Sequence, residues 1–599
     1  MKQRKLTKNK NYLKSLQLPE PPTVSTCYKG QVFDMTLHAW FSKFTGWLSP
    51  AAFGLALYDW IAHLNISPAR RLDLLSDAQH KSLQWLLYAL QFPLADTCHE
   101  PCDTNRPTDK RFNNKLWEAA PFNFYSQGFL LIEQWWDDAT SRIRGVSQHH
   151  SDVVNFTVRQ TLDLFAPTNF ILTNPEVLQA TFLSAGNNFV NGFNNYLTDF
   201  SRQAFNLPSS EAEHFKPGVE VAITPGKVIY RNHLIELIQY SPTTATVSAD
   251  PILIVPAWIM KYYILDLSSH NSLVKYLVGK GHTVFMISWR NPNSEDRHLG
   301  FEEYIDLGVM SALEVINEIV PKRQIQTVGY CLGGTLLMIT AAALAHKGDE
   351  RIKSITLFAA QVDFKEAGEL LLFMDESQIS YIEDIMWEEG YLDGAQMSGA
   401  FSMLHSNELV WSRMIRDYLL GARRPLNDLM AWDADTTRLP FRMHSQYLRS
   451  LFLNNDLAQG RFKVWRRKVA LIDIDIPIFA VGTMTDHISP WQSVYKVNLF
   501  TETDFTFVLT SGGHNAGIVS EPGHKSRFYH MATTSQGERY ISADHWQELA
   551  PRYEGSWWPA WQKWLVELSP DKVAPPTMGN EKKGYPELAD APGVYVLQK

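Results

Sequence analysis

The N-terminal third of the chain carries apolar side chains at the spacing of amphipathic helices. From Gln31 to Phe200, apolar residues recur at intervals of three and four, as in Ala51–Asn65 and Ser151–Phe165, without strand-like alternation. Residues 1–25 are polar and contain Pro19, Pro21 and Pro22. The pattern predicts a mainly helical domain over residues 1–215, of which residues 1–25 are expected to be disordered.

A different pattern begins near Pro217. Three short runs separated by turn residues have the composition of antiparallel strands, and further apolar runs then alternate with amphipathic helical segments. Apolar strands separated by helices predict an α/β domain with a mostly parallel sheet covered on both faces, over residues 216–599. The predicted strands are Val219–Thr224, Gly226–Tyr230, Leu234–Tyr240, Ile252–Pro256, His282–Trp289, Gln324–Tyr330 and Ile352–Ala359, and the predicted helices are Asn271–Val278, Phe301–Ile319 and Gly333–His346.

The alternation of strands and helices stops after Gln361 and resumes at Ile476–Gly482 and Thr506–Leu509. Between these points, Asp363–Lys468 contains helical patches and irregular, aromatic-rich stretches. An insertion between two strands of a parallel sheet usually covers the carboxyl edge of the sheet, where active sites lie. We therefore expect residues 363–468 to form a cap over a catalytic centre.

The amino-acid composition argues against several classes of protein. The 599 residues carry 55 Lys and Arg against 63 Asp and Glu, a net charge of −8, which argues against a dedicated nucleic-acid binder. Four cysteines are too few for a disulfide framework and favour a reducing compartment. The basic N-terminus is followed by no apolar stretch, so we predict no signal peptide. Thr327–His346 is uncharged and long enough to span a bilayer, but its glycines indicate a strand, a turn and a buried helix rather than a membrane span.

The candidate chemistry centres on Gly329-Tyr330-Cys331-Leu332-Gly333, which has the form of a nucleophile elbow with cysteine in the serine position. A sharp turn from strand to helix would lift the central side chain above the sheet edge, and the flanking glycines permit close backbone contacts. The Leu332 N–H would lie at the helix N-terminus, where it can stabilise an oxyanion. The same terminus lowers the pKa of a thiol. Cys331 is therefore the predicted nucleophile.

In such a fold, the acid and the histidine follow the nucleophile along the chain, each just after a strand. Asp486 follows the strand after the insertion, and His514 follows the next strand, which we take as the last one. His487 is a rival base, but its side chain would diverge from that of its neighbour Asp486, and an acid orients a histidine best from a separate loop. We predict Asp486 and His514 as the partners of Cys331.

A second oxyanion donor is expected from the loop after the first parallel strand. This loop follows Ile252–Val255, so the backbone N–H groups of Ala257, Trp258 and Ile259 are candidates beside that of Leu332. A tetrahedral intermediate would then be held between this loop and the helix N-terminus.

Motifs beyond the elbow resemble those of polyhydroxyalkanoate (poly-3-hydroxybutyrate) synthases of class I, members of the α/β-hydrolase superfamily. The resemblance runs from about Arg111 to the last residues. It implies an α/β-hydrolase fold with a mostly parallel central sheet and an inserted cap, preceded by an N-terminal helical domain. It also implies that Cys331, Asp486 and His514 form the catalytic triad. The resembling stretches are Asn155–Pro175, Thr224–Val228, Pro256–Leu267, Ser288–Pro292, the elbow, Asn407–Trp411, Asp486–Ile488 and Gly513–Gly517.

The resemblance carries further expectations about substrate and partners. Such enzymes polymerise (R)-3-hydroxyacyl-CoA into polyester and release CoA, through a covalent cysteine thioester. We expect short acyl chains such as 3-hydroxybutyryl, no cofactor beyond the CoA of the substrate, a homodimer, and a cytoplasmic location at polyhydroxyalkanoate granules. Lys261 and Arg290 are candidate partners for the CoA phosphates. Trp411 matches a family tryptophan near the active site and is a further candidate for the substrate region, with a structural or dimer-related role preferred.

Two other functions stay open at this point. A thioesterase or polyester depolymerase could use the same triad, because water and a hydroxyl group attack the same intermediate. A catalytically silent granule-binding scaffold would use none of it. The cysteine nucleophile and the motifs outside the elbow favour the synthase.

Weaker signals point to metal binding and to polymer contact. Cys98–Cys102, with His149 and His150 downstream, resembles a zinc arrangement only loosely, so we favour a surface loop and predict no metal site. No glycine-rich nucleotide loop is present in the sequence. Phe53–Trp60 and the tryptophan-rich segment 557–564 could face a polymer granule, but core packing is the preferred interpretation of both.

Overall fold

The computed structural model describes residues 30–45, 47–91, 109–205, 212–404 and 406–599. The predicted disorder of residues 1–25 and the Cys98–Cys102 motif lie outside these residues. The N-terminal part is helical, as its apolar spacing predicts, and Ser49 caps its second helix with Pro50 in the first helical position. Its helices, α1 to α7, are Gln31–Thr45, Pro50–Asn65, Pro68–Gln91, Phe122–Thr140, Gln148–Leu164, Pro175–Leu183 and Asn187–Ala204.

One sheet of eleven strands forms the centre of the remaining described chain. Its order from edge to edge, with the strands numbered along the chain, is β10-β9-β8-β7-β6-β5-β3-β4-β2-β1-β11. Strands β3 to β8 pair in parallel, and the strands outside them pair in antiparallel fashion. The strands β1 to β11 are Gly226–Arg231, Ile235–Tyr240, Ile252–Val255, Val284–Trp289, Ile325–Tyr330, Ile352–Phe358, Ile478–Thr483, Phe505–Thr510, Phe528–Thr534, Arg552–Glu554 and Ala589–Asp590.

The parallel strands confirm the prediction made from apolar strands that alternate with helices. Every residue of β3, β4 and β5 is buried, because helices cover both faces of the sheet. The longer helices of this part, α8 to α18, are Leu273–Gly279, Ser311–Ile319, Leu332–Ala345, Glu376–Glu389, Gly394–Leu404, Asp428–Asp433, Phe441–Gln446, Trp491–Tyr495, Val497–Phe500, Ala543–Leu549 and Trp558–Leu568. Phe301–Glu303 and the π-helical Tyr304–Met310 lead directly into α9. The short helix Ser412–Met414 and the π-helical stretches Asn407–Trp411, Ile415–Leu419 and Tyr447–Leu453 lie between β6 and β7.

Two sequence predictions about strands are wrong. Val219–Thr224 is not a strand but a series of turns and bends, because Ala222 has a φ of +53° and its N–H donates to the carbonyl of Asp266. The strand before His514 is not the last, since β9 and β10 extend the sheet beyond β8. Strand β9 is mostly half-buried, so it lacks the nearly complete burial that marks the central strands.

The segment between β6 and β7, residues 359–477, is called the inserted segment here. It bonds to the loop after β3: the Trp432 indole N–H donates to the carbonyl of Lys261 (2.7 Å), and the Thr437 hydroxyl donates to the carbonyl of Trp258 (2.6 Å). It therefore covers the carboxyl end of β3, as expected of an insertion at this point. Its other face contacts the N-terminal helices, for example through Asn188 Nδ2, which donates to the carbonyl of Leu419 (2.8 Å).

The two apolar segments that could have faced a polymer differ in burial. Trp557, Trp558 and Trp561 are buried against the sheet, which confirms core packing of the tryptophan-rich segment. For Phe53–Trp60 core packing is wrong, because Ala56 alone is buried among the residues of α2. Among the helices of the described ranges, none is both long and apolar enough to cross a membrane.

Candidate active site

Cys331 lies at the sharp turn between β5 and α10. Its φ of +51° and ψ of −124° are strained values for a residue with a side chain, as a nucleophile elbow requires. Its N–H donates to the carbonyl of Phe358 on the neighbouring strand (2.8 Å), which fixes the turn on the sheet. A side chain at Gly329 would overlap the backbone of Gly334, and one at Gly333 would overlap the loop after β3. The glycines of the motif are therefore required by close backbone contacts.

Asp486 and His514 meet just beyond the carboxyl ends of β7 and β8. His514 Nδ1 lies 2.8 Å from Asp486 Oδ2, and the other oxygen of Asp486 accepts the N–H groups of Ile488 (2.9 Å) and Ser489 (2.8 Å). Cys331, Asp486 and His514 are each only 7% or 8% exposed. The structure thus brings the predicted acid and base together in a buried position.

The electrostatics of this cluster favour a charged histidine. Burial alone would lower the pKa of His514, but the charges of Asp486 and Cys331, and hydrogen bonding to both, raise it well above its usual value. Burial would raise the pKa of Asp486, but the charge and hydrogen bond of His514 and two backbone N–H groups hold it below its usual range. An imidazolium formed on His514 is therefore stabilised where it faces Cys331.

The two predicted sources of oxyanion donors also converge. Leu332 is the first residue of α10, and its side chain lines the same small cavity as that of Ile259. The loop carrying Ile259 runs over the start of α10. It lies so close that any side chain at Gly333 would overlap the carbonyl oxygens of Val255 and Pro256. The Trp258 side chain turns away and packs edge to face on Phe301, with ring centroids 5.9 Å apart. Its backbone remains in the loop beside the helix N-terminus.

A tyrosine and an aspartate of the inserted segment interact with the cluster, and the sequence patterns predict neither of them. Tyr447 is half-buried and interacts electrostatically with Cys331. Desolvation raises the pKa of the Asp433 carboxyl and the charge of His514 lowers it, although the residue as a whole is exposed. No motif marks either residue in the sequence, because each comes from a helix far from the elbow along the chain.

A third contact does have a sequence signal. The hydroxyl of Tyr330 donates to Oδ1 of Asn515 (2.5 Å), and the Tyr330 ring lies 5.8 Å from that of His514. Tyr330 precedes the nucleophile and Asn515 follows the histidine, so their positions next to Cys331 and His514 could have suggested the contact. It ties the elbow to the histidine loop.

Comparison with known proteins covers most of the chain. A family model described as poly-beta-hydroxybutyrate polymerase (PhaC) N-terminus matches residues 108–277, one described as poly-beta-hydroxybutyrate polymerase N terminal matches residues 29–70, and one for the alpha/beta hydrolase fold matches residues 250–521. The poly(3-hydroxyalkanoate) polymerase of Methylorubrum extorquens is 40% identical over 503 residues, which cover 84% of this chain and 82% of that protein.

The chain belongs to the poly(3-hydroxyalkanoate) polymerase family. Two further members of the family support this. The polymerase subunit of Rhizobium meliloti is 38% identical over 512 residues, covering 85% of this chain and 82% of that protein. The one of Cupriavidus necator is 32% identical over 557 residues, covering 92% of each. The protein is accordingly an enzyme with an α/β-hydrolase fold, in agreement with its mostly parallel sheet.

The residues proposed for substrate binding in this polymerase each have contacts elsewhere in the protein. Lys261 is buried, and its Nζ donates to the carbonyl of Gln598 (2.5 Å), near the end of the chain. Burial lowers the pKa of Lys261 to about 8. Arg290 is paired with the buried Asp296. Trp411 ends a π-helical stretch of the inserted segment and is half-buried. Their roles toward CoA stay predictions.

The two histidines of the zinc-like sequence pattern are each paired with a carboxylate. His150 Nδ1 lies 2.7 Å from Asp59 Oδ2, and His149 Nε2 lies 3.6 Å from Asp375 Oδ2, so each histidine has its own carboxylate. Across the described residues, no group of three or more His, Cys, Asp or Glu side chains could hold a metal ion. The remaining part of the motif, Cys98–Cys102, is outside these residues.

Proposed function

We propose that the protein polymerises (R)-3-hydroxyacyl-CoA into a polyester and releases CoA, with Cys331 as nucleophile, His514 as general base and Asp486 as the acid that orients it. The observation that carries the proposal is a buried cysteine at a strained turn before a helix, next to a histidine that is paired with a carboxylate. Membership of the polymerase family supports the reaction type. We further propose short acyl chains, such as 3-hydroxybutyryl, as the substrate.

The first half-reaction moves the acyl group from CoA to Cys331. His514 takes the thiol proton, and the thiolate attacks the carbonyl carbon of the substrate. The backbone N–H groups of Leu332 and of Trp258 or Ile259 are the proposed donors to the oxyanion. The bond from carbon to the CoA sulfur then breaks, and His514 returns the proton to that sulfur. One thioester replaces another, so this step is nearly neutral in free energy and reversible.

The second half-reaction forms the polymer bond. The hydroxyl group of another unit or of the growing chain attacks the thioester on Cys331, while His514 accepts the hydroxyl proton. The carbon–sulfur bond breaks, and His514 gives the proton back to the sulfur. The product is an oxygen ester, which is more stable than the thioester, so the step is favourable. A serine nucleophile would form the oxygen ester at once and lose this activation.

Water must be kept from the thioester, because it competes with the hydroxyl group. The low exposure of the triad residues and the position of the inserted segment over β3 support a dry site. The reaction as proposed needs no cofactor besides the CoA of the substrate. We also propose the domain division at 215/216, a homodimer, and association with cytoplasmic polyester granules, in line with the family resemblance.

The discriminating experiment is incubation of the purified protein with 3-hydroxybutyryl-CoA. Thiol release with growing turbidity is the expected result. Thiol release with free 3-hydroxybutyrate and no turbidity would identify a hydrolase, and no thiol release would favour a scaffold. Cys331→Ala is the matched variant, and we expect it to abolish both signals while its circular dichroism spectrum and melting temperature stay close to those of the unmodified protein.

A further inference from the structure

A small apolar cavity of about 110 Å³ lies beside the nucleophile. Leu332 and Ile259 line it on one side, together with Tyr447, which interacts with Cys331. Leu48 lines it from the N-terminal part of the chain. The cavity therefore extends from the surroundings of the catalytic sulfur to the N-terminal helices.

A second cavity, of about 310 Å³, adjoins the first. It lies between the start of α2, the middle of α5 and residues 372–378 of the inserted segment. Leu48, Phe373 and Gln378 line both cavities and form their common wall. At the other end, Phe53 lines the second cavity and is 38% exposed, so this cavity reaches the surface of the molecule.

The common wall is held by contacts between the N-terminal part and the inserted segment. The Gln378 side chain accepts the N–H of Ser49 (2.7 Å) and donates to the carbonyl of Trp47 (3.0 Å). The ring of Phe373 meets that of Phe156 edge to face, with centroids 6.1 Å apart. None of these contacts involves a strand of the sheet. Rotation of Phe373 and Leu48 could therefore join the two cavities without disturbing the catalytic core.

Both cavities are suited to an uncharged chain. No Lys or Arg lines either of them within the described residues, so the phosphates of CoA would find no cation there. Burial lowers the pKa of His444, in the first cavity, to about 3, which keeps it neutral. Asp375, in the second, already accepts the N–H groups of Ser377 and Gln378. A polyester carries no donor along its chain, and its alkyl groups gain from apolar walls.

We propose that the growing polyester leaves Cys331 through the first cavity, passes between Leu48 and Phe373, and emerges through the second cavity beside α2. This inference rests on the proposed function. It gives the N-terminal helices a definite part in the reaction, because they form one wall of the product path.

The proposal is tested by a substitution that places a bulky side chain in the second cavity from its N-terminal wall. Ala52 lines this cavity in the first turn of α2 and is half-buried, so Ala52→Trp adds an indole there without entering the sheet core. Ala51→Trp is the matched control, because its neighbour Ala51 is exposed and does not line the cavity. CoA release from 3-hydroxybutyryl-CoA is followed from the first turnover onward, and the products are sized by chromatography.

We expect equal release of CoA in the first turnover for the two variants, and a steady-state rate for Ala52→Trp that is lower by roughly tenfold or more, with shorter products. Equal steady-state rates and equal product lengths would overturn the path. If Ala52→Trp does not melt like its control, Thr157→Trp fills the same cavity from α5 and repeats the test. Absence of CoA release from the unmodified protein would instead reject the proposed function.

Discussion

Two aromatic segments of similar apolar character have opposite environments in this protein. The segment that contains α18 buries Trp557, Trp558 and Trp561 completely, and each indole N–H donates to a protein acceptor. In α2, by contrast, Tyr58 is 73% exposed and Ala56 is the buried residue. The difference is the partner: α18 packs on a broad apolar sheet, whereas α2 packs mainly on α5, another helix. An apolar pattern predicts a helix, but burial depends on what the topology places against it.

The contrast extends to the regions around these segments. Helix α10 and the central strands are almost wholly buried, whereas the N-terminal helices expose many large apolar side chains, such as Phe182 at 86%. Full burial of one such side chain contributes about 1.5–3 kcal/mol to stability, and an exposed one does not supply this. The free energy of unfolding of the catalytic part should therefore depend strongly on its aromatic residues, and that of the N-terminal part should not.

The first prediction measures this difference directly. Trp561→Ala should lower the free energy of unfolding by about 3–5 kcal/mol, because it leaves a cavity and removes the hydrogen bond to Thr356. Tyr58→Ala should change it by no more than about 0.5 kcal/mol. Urea denaturation of the two variants gives both values. Similar losses in the two variants would contradict the comparison.

The second prediction compares a buried ion pair with a more exposed one. Asp486→Asn should lower the free energy of unfolding by about 3–5 kcal/mol, because it leaves His514 buried without its carboxylate. Asp59→Asn, which removes the carboxylate beside His150, should cost about 0.5 kcal/mol or less, since both partners are partly exposed. Chemical denaturation near pH 6 compares the two. An equal cost would mean that the buried position does not strengthen the attraction between Asp486 and His514.

The pH dependence of the buried pair follows from its two pKa shifts. The raised pKa of His514 contributes stability below its unfolded value of about 6.5, and this is lost as pH rises through the folded pKa. The lowered pKa of Asp486 contributes stability above its unfolded value of about 3.9, and this is lost as pH falls through the folded pKa. The stability difference between the unmodified protein and Asp486→Asn should therefore be largest between about pH 4 and pH 6.5 and smaller at both extremes.

The third prediction concerns Asp433, which is exposed to solvent but interacts electrostatically with the buried His514. Asp433→Asn removes a negative charge near His514. We expect the pKa that governs acylation of Cys331 to fall by less than about one unit. The measurement is the pH dependence of the first release of CoA. A merely structural role would change the rate at every pH without moving the profile.

Much of the catalytic part could be predicted from the sequence. Strands β3 to β8 are rich in apolar and β-branched residues, and the elbow has a sequence pattern because its glycines are required by close backbone contacts. Asp486 and His514 were found from their positions after two of these strands. The structure brings them together at 2.8 Å, as the order of the elements predicts.

The remaining features are not predicted by any pattern in the sequence around the residues concerned. Strand β9 was missed because its half-buried residues show neither a continuous apolar run nor a clear alternation. Tyr447 and Asp433 reach the site from separate helices of the inserted segment, so only the packing of that segment reveals them. The partner of Lys261 is a backbone carbonyl near the chain end, and a carbonyl is present at every residue.

The central claim is that the acyl group is carried on the sulfur of Cys331. The most direct measurement is to mix the protein with 3-hydroxybutyryl-CoA, stop the reaction in acid within the first turnover, and locate the added mass by peptide mass spectrometry. The account predicts a 3-hydroxybutyryl adduct on the peptide that contains Cys331, and no adduct in Cys331→Ala. An adduct on another residue, or polymer formation by Cys331→Ala, would contradict it.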